Sequence, residues 1–159
     1  MSKLSGKGRT DSASRLVRAS PSAIYRAFVD PAALASWLPP AGMKGRVDAF
    51  DATEGGAFRI TLMYESQEHV APGKTSDHAD VVRGRFVELV PGERIVQQVE
   101  FESANPAFAG IMTITWRLAA VAEGTDVTVL CENVPEGIRR EDHETGLRSS
   151  LANLAAFTE

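Results

Sequence analysis

Three groups of side chains in this sequence have the types and spacing that chemistry would need. His143 lies four residues before Leu147. On a helix that spacing puts both side chains on one face. There the imidazole could donate a hydrogen bond or act as a general acid, which makes His143 the candidate catalytic residue. The plainer alternative is a partly exposed helix residue among Glu141, Asp142 and Glu144. Gln97 shares one side of an alternating segment with Ile95, Val99 and Phe101. A buried amide in an apolar row needs a hydrogen-bond partner, and a ligand's polar group would serve. A strand tilting into solvent would serve equally. The run from Lys74 to Asp80 packs a cation, hydroxyls, a histidine and two carboxylates together. Asp77, His78 and Asp80 are ligand types suited to a divalent cation. Short clusters of this kind are ordinarily turns with solvated charges, so no metal is expected, and the loop is read as a lid or mouth.

Other chemistry is missing. No nucleophile elbow, phosphate-binding glycine loop or paired-cysteine metal pattern occurs, so no cofactor is expected. Cys131 is the only cysteine, which excludes an intrachain disulfide. It sits among apolar residues and reads as a small buried hydrophobe rather than a reactive thiol. The net charge of -4 offers no basic field for a nucleic acid. No apolar run approaches the length of a membrane span. The N-terminus is positively charged but lacks an apolar signal core, so a cytoplasmic location is expected.

The elements that must position these groups are legible in the periodicities. The segment from Pro135 to Phe157 carries the only long helical pattern, with Leu147, Leu151, Leu154 and Ala155 on one stripe. Arg148, Ser149, Ser150 and Asn153 fall off it. Glu141, Asp142 and Glu144 crowd the first turns, where negative charge suits the helix dipole. Two short helices come early. Ser20-Pro21 opens the first, with Ala23, Ile24, Ala27 and Phe28 as its apolar face. Asp30-Pro31 separates it from the second, Ala32–Trp37, which Pro39-Pro40 ends.

Strands are expected at Ala13–Ala19, Val47–Phe50, Phe58–Tyr64, Ala79–Leu89, Arg94–Phe101, Ile111–Ala119 and from Val127 onward. Hairpin-length turns join the late strands, so the sheet is antiparallel. It must cover its apolar face, and the last helix carries the matching stripe. The expected architecture is α+β: a curved sheet of about seven strands with two short helices and a long C-terminal helix. One domain, 12–159, follows a flexible N-terminal segment, 1–11. Such a grip leaves a gap, a natural ligand cavity. Trp37, Phe58, Leu62, Met112, Ile114, Trp116, Leu147 and Leu151 are expected around it, with Gln97 and His143 as polar members.

Several pieces fall in a familiar order. Asp30-Pro31 precedes Trp37-Leu-Pro-Pro; Gly55-Gly56 precedes Phe58; then come Gly84-Arg-Phe-Val-Glu-Leu-Val-Pro91, Phe101-Glu-Ser103, Gly124-Thr125 and the final helix. From about Ala13 to Phe157 the chain resembles the START-like (SRPBCC, helix-grip) superfamily, and within it the group named for the activator of the heat-shock-protein-90 ATPase. The resemblance implies a helix-grip fold with an internal cavity. It does not imply one activity, since members include lipid-transfer domains and polyketide cyclases.

The first reading is therefore a module binding a small apolar or amphipathic molecule. The alternatives are a cyclase-like or hydrolase-like enzyme using the same cavity, and a chaperone-associated interaction protein. The resemblance does not extend to the activator's separate N-terminal domain, so a chaperone partner is not expected. Edge strands could pair into a homodimer.

Overall fold

In the computed structural model the described residues are 8–65 and 79–159. Seven strands form one antiparallel sheet: β1 (Arg9–Val17), β2 (Met43–Phe50), β3 (Ala57–Tyr64), β4 (Ala79–Val90), β5 (Arg94–Phe101), β6 (Met112–Val121) and β7 (Gly124–Val134). The order across the sheet is β1-β7-β6-β5-β4-β3-β2, so only the β1–β7 pairing joins strands distant in sequence. Helices α1 (Pro21–Val29) and α2 (Pro31–Trp37) form the corner after β1, and α3 (Arg140–Thr158) comes last. The α+β helix-grip architecture is as expected.

Local chemistry sets the corner. Ser20 Oγ accepts from the Ala23 amide at 3.1 Å, and Asp30 Oδ1 accepts from Ala32 at 3.0 Å. Each cap is followed by a proline at the first helical position, where its missing N–H is no loss. Trp37 is buried, and its indole N–H donates to the Ala27 carbonyl at 2.9 Å. The ring meets Phe28 at 4.8 Å between centroids, and Phe28 meets Trp116 at 4.9 Å, both edge-on. This geometry suits the aromatic quadrupole.

Helix α3 buries Leu151, Leu154 and Ala155, as its stripe requires. Three residues expected off the stripe also face protein. Ser150 is buried and its hydroxyl donates to the Leu38 carbonyl at 2.6 Å; Asn153 donates to the Pro39 carbonyl at 2.9 Å; Ser149 accepts from the Ala41 amide at 2.9 Å. The proline-rich turn after α2 leaves these backbone groups without sheet or helix partners, and polar helix residues take them up. The helix thus has two inward faces, one apolar and one hydrogen-bonding.

β1 begins at Arg9 rather than Ala13, so residues 9–11 belong to the sheet. Its edge amides are covered by α3: Ser12 N donates to Glu144 at 3.4 Å and Arg18 N to Glu159 at 3.0 Å. Those two amides are thereby withdrawn from the row that an edge offers to another strand. At the other end of the sheet, Arg59 bridges Asp48 at 2.9 Å and Glu102 at 2.7 Å on the solvent side. No helix among the described residues is long and apolar enough to cross a membrane.

Candidate functional site

The inner face of the sheet does not close on α3 everywhere. A cavity of about 460 Å³ remains between them. Well-packed interiors hold few voids larger than a water, whereas small-molecule pockets run from roughly 300 to 1,000 Å³. The period of two explains the wall. Phe58, Ile60 and Leu62 of β3, Gln97, Val99 and Phe101 of β5, and Met112, Ile114 and Trp116 of β6 all line it. Their odd-numbered or even-numbered neighbours carry the outer ion pairs, such as Arg83 with Glu100 at 3.0 Å. Gly84 matters here, because a Cβ at that position would lie 2.9 Å from the Phe58 ring and 2.5 Å from the Gln98 carbonyl. Its bare backbone lets Phe58 lie against the sheet and leaves the space beside it open.

Four sets of polar groups border this apolar space. Gln97 is 9% exposed and lines the cavity. Its side-chain amide makes no hydrogen bond to any described residue, an arrangement native interiors rarely tolerate without another partner. Tyr64 and Asp80 line the cavity from β3 and β4, and exposed Asp142 stands at the rim on α3. Burial raises the Tyr64 phenol above its ordinary pKa, and the nearby charges of Asp80 and Asp142 push it the same way. Thr145 and Ser149 complete the polar rim on α3.

The fourth set is His143 and what holds it. Its Nδ1 lies 2.8 Å from Oδ2 of Asp11, which is fully buried. Asp11 also accepts from Arg9 at 2.8 and 2.9 Å and from Arg140 at 3.1 Å. Burial acts to raise the Asp11 pKa, but the hydrogen bonds from Arg9, His143 and Arg140 outweigh it and hold the carboxyl below its ordinary range. An ionised carboxylate only accepts, so His143 carries its proton on Nδ1. In the neutral ring Nε2 is then the acceptor. This is how a buried acid fixes a histidine tautomer.

Cys131 pairs with Asp11 across the β1–β7 ladder. Burial and the Asp11 charge push its thiol up to about 12, and it is completely buried. At neutral pH it is an un-ionised hydrophobe.

The structure brings Trp37, Phe58, Leu62, Gln97, Met112, Ile114, Trp116, His143 and Leu147 together around the cavity. Leu151 is not with them: it is 1% exposed and packed into the core. Both leucines lie on the same stripe, and periodicity cannot tell a filled stretch of seam from an open one. Asp77 and His78 lie outside the described residues, as does the expected loop from Ser66. Asp80 faces the cavity instead of a surface cluster, and among the described residues no group of three His, Cys, Asp or Glu could hold a metal ion. Asp80 and Tyr64 were within reach of the strand pattern, since Asp80 shares parity with Val82, and Tyr64 with Leu62. Asp11 was not, because a charge in a serine-rich stretch reads as solvated.

The family described as Activator of Hsp90 ATPase homolog 1-like protein matches residues 18–159. A crystal structure of a Chromobacterium violaceum protein is 37% identical, with TM-score 0.82, covering 94% of this chain and 97% of that one. A Rhodobacter sphaeroides protein is 19% identical, with TM-score 0.75, covering 95% and 93%. A solution structure of an AHSA1-like protein from Aeromonas hydrophila is 14% identical, with TM-score 0.69, covering 94% and 91%; the latter two likenesses concern the fold alone. A comparison with curated proteins found no match.

Proposed function

The chain belongs to the Activator of Hsp90 ATPase homolog 1-like family, and within it we propose that this protein binds one small apolar or amphipathic molecule in the cavity between sheet and α3. The observation that carries this reading is Gln97. Its amide is nine-tenths buried in the wall of an otherwise apolar space, with no hydrogen bond to the described protein. Burying an unpaired amide is unfavourable by about 1–3 kcal/mol, and a ligand polar group would offset that. The apolar walls would supply affinity at roughly 25 cal/mol per Å² buried, less the ordering costs of association.

Native mass spectrometry of the purified protein, followed by organic extraction, tests the reading. The expected result is a stoichiometric small-molecule adduct, or adduct formation when a panel of apolar compounds is added. No adduct under either condition would overturn it.

A second, catalytic reading is favoured by one observation, the Asp11–His143 hydrogen bond at 2.8 Å beside the cavity. A histidine with a fixed tautomer at a ligand site can move a proton. It predicts a turnover of cyclase or hydrolase type whose pH dependence disappears in His143→Ala; unchanged turnover in that variant would remove the assignment.

A further inference from the structure

Resting on the cavity-binding reading, we propose that the ligand enters between α3 and the turn after α2, and that Gly146 is the residue that keeps this mouth open. Gly146 thereby sets how readily a molecule is admitted. Two independent observations carry this. The first is where the cavity meets solvent. Among the described residues that line it, the exposed ones are Ala41 on the turn and Asp142 and Thr145 on α3. Every lining residue of the sheet is buried or half-buried. Ser149, Ser150 and Asn153 fasten the turn to α3 by hydrogen bonds, about one to two helical turns beyond position 146. Asp142, Thr145 and Gly146 make no hydrogen bond to the turn. The seam is therefore fastened on one side of Gly146 and unfastened on the other, where the exposed lining residues of α3 stand.

The second observation is that the fold does not need a glycine here. Glycine weakens a helix interior more than any residue except proline, and Gly146 lies inside the 19 residues of α3. Two structural needs ordinarily call for it. One is a left-handed backbone, but Gly146 is helical. The other is a close approach, as at Gly84. At Gly146 a Cβ would meet one atom within 4 Å outside the helix's own backbone, Pro40 Cγ at 3.9 Å, an ordinary van der Waals contact. Alanine would fit and would strengthen the helix. It would also bring α3 into contact with Pro40, which lines the cavity as Gly146 does, and so bridge the gap between helix and turn. A longer side chain would fill that gap. A residue that opposes local propensity with no packing reason marks a functional demand, and at this position the demand is passage.

The test is stopped-flow binding of N-phenyl-1-naphthylamine, an uncharged probe whose fluorescence rises in apolar surroundings. It is made on the unmodified protein, Gly146→Ala and Gly146→Leu. Narrowing a mouth raises the barrier from both sides, so association and dissociation slow together, whereas altering a wall acts mostly on dissociation. Gly146→Leu is expected to slow both rates by roughly tenfold, with a much smaller change in Kd. Gly146→Ala is expected to slow both by a smaller factor and to raise the urea midpoint, because the helix interior gains from alanine. Unaltered rates in both variants overturn the mouth. Faster dissociation with unaltered association overturns it too, since position 146 would then be wall. Either result leaves the cavity reading standing. If the unmodified protein does not bind the probe, the cavity reading itself fails and this inference falls with it. Should Gly146→Leu not fold, Gly146→Ala decides: slower entry and exit support the mouth, and unaltered rates overturn it.

Discussion

At the seam between β1 and α3, Asp11 is fully buried and accepts hydrogen bonds from Arg9, Arg140 and His143. In the cavity wall on β5, Gln97 is nearly as buried and makes no side-chain hydrogen bond to any described residue. One chain has solved the same problem, a polar group out of water, in two ways. At the seam the charge is worth its desolvation because it joins the first strand to the last helix, two segments 129 residues apart in the Asp11–Arg140 bond. A hydrophobic residue there could pack but could not fix the angle of α3 or the tautomer of His143. In the cavity wall the amide links to no other described residue. Polar groups fully satisfied by their own chain are structural by default; those left unsatisfied point to a partner that comes and goes.

Substitution at the two sites should therefore move stability in opposite directions. The largest effect is expected at the seam. Asp11→Ala leaves Arg9 and Arg140 facing each other with no counter-charge and His143 Nδ1–H without its acceptor. Breaking a buried ion pair by removing one partner typically destabilises by about 3–5 kcal/mol. Arg140 is half exposed and can recover hydration, which places the expectation near the lower end, about 3 kcal/mol. Urea unfolding monitored by tryptophan fluorescence checks it. A change below about 1 kcal/mol would make the hub an ordinary surface salt bridge and erase the contrast.

The smaller and opposite effect is expected in the wall. Gln97→Leu removes an unpaired amide and keeps a similar volume, so the ligand-free protein should become more stable by about 1 kcal/mol, even as affinity for a hydrogen-bonding ligand falls. That combination marks a residue kept for function against stability. A loss of stability in the ligand-free variant would mean that the amide is satisfied within the protein, and the comparison with Asp11 would collapse.

These two residues also mark where sequence reasoning succeeds and where it stops. Strand parity exposed Gln97, because an amide flanked at i±2 by Ile95 and Val99 stands out against a two-residue period. The same parity assembled most of the cavity wall, and the helical stripe of α3 found its apolar face. Asp11 was invisible for the complementary reason. Its burial depends on two arginines and a histidine that arrive from a neighbouring turn of strand and from a helix at the far end of the chain, and nothing local records their approach. Ser149, Ser150 and Asn153 were misplaced in the same way: their partners are carbonyl and amide groups of the turn after α2, which a pattern of hydrophobicity does not register. Leu151 shows a third limit, since one stripe serves both a filled core and an open cavity.

The finest test of the contrast uses pH, and its effect near neutrality is the smallest. Asp11 has a folded pKa below its ordinary value, so the folded protein holds the carboxylate more firmly ionised than the unfolded chain does. The stabilisation this supplies is fully present above the unfolded value, about pH 3.9. It is lost as pH falls from there through the depressed folded value, because the unfolded chain then binds the proton first. Between pH 7 and 5 the Asp11 contribution should be flat, and below pH 4 the unfolding free energy should decline. Asp11→Asn removes the titration while keeping the shape, so its stability should start lower and the acid decline should be shallower than that of the unmodified protein. Gln97 does not titrate, and Gln97→Leu should run parallel to the unmodified protein across the whole range. Parallel curves for Asp11→Asn as well would show that the acid sensitivity arises at other carboxylates, among which Asp48 is held low by the Thr61 hydroxyl and Arg46, and Glu88 and Glu102 by their arginines, and that the buried seam contributes geometry without pH-dependent stability.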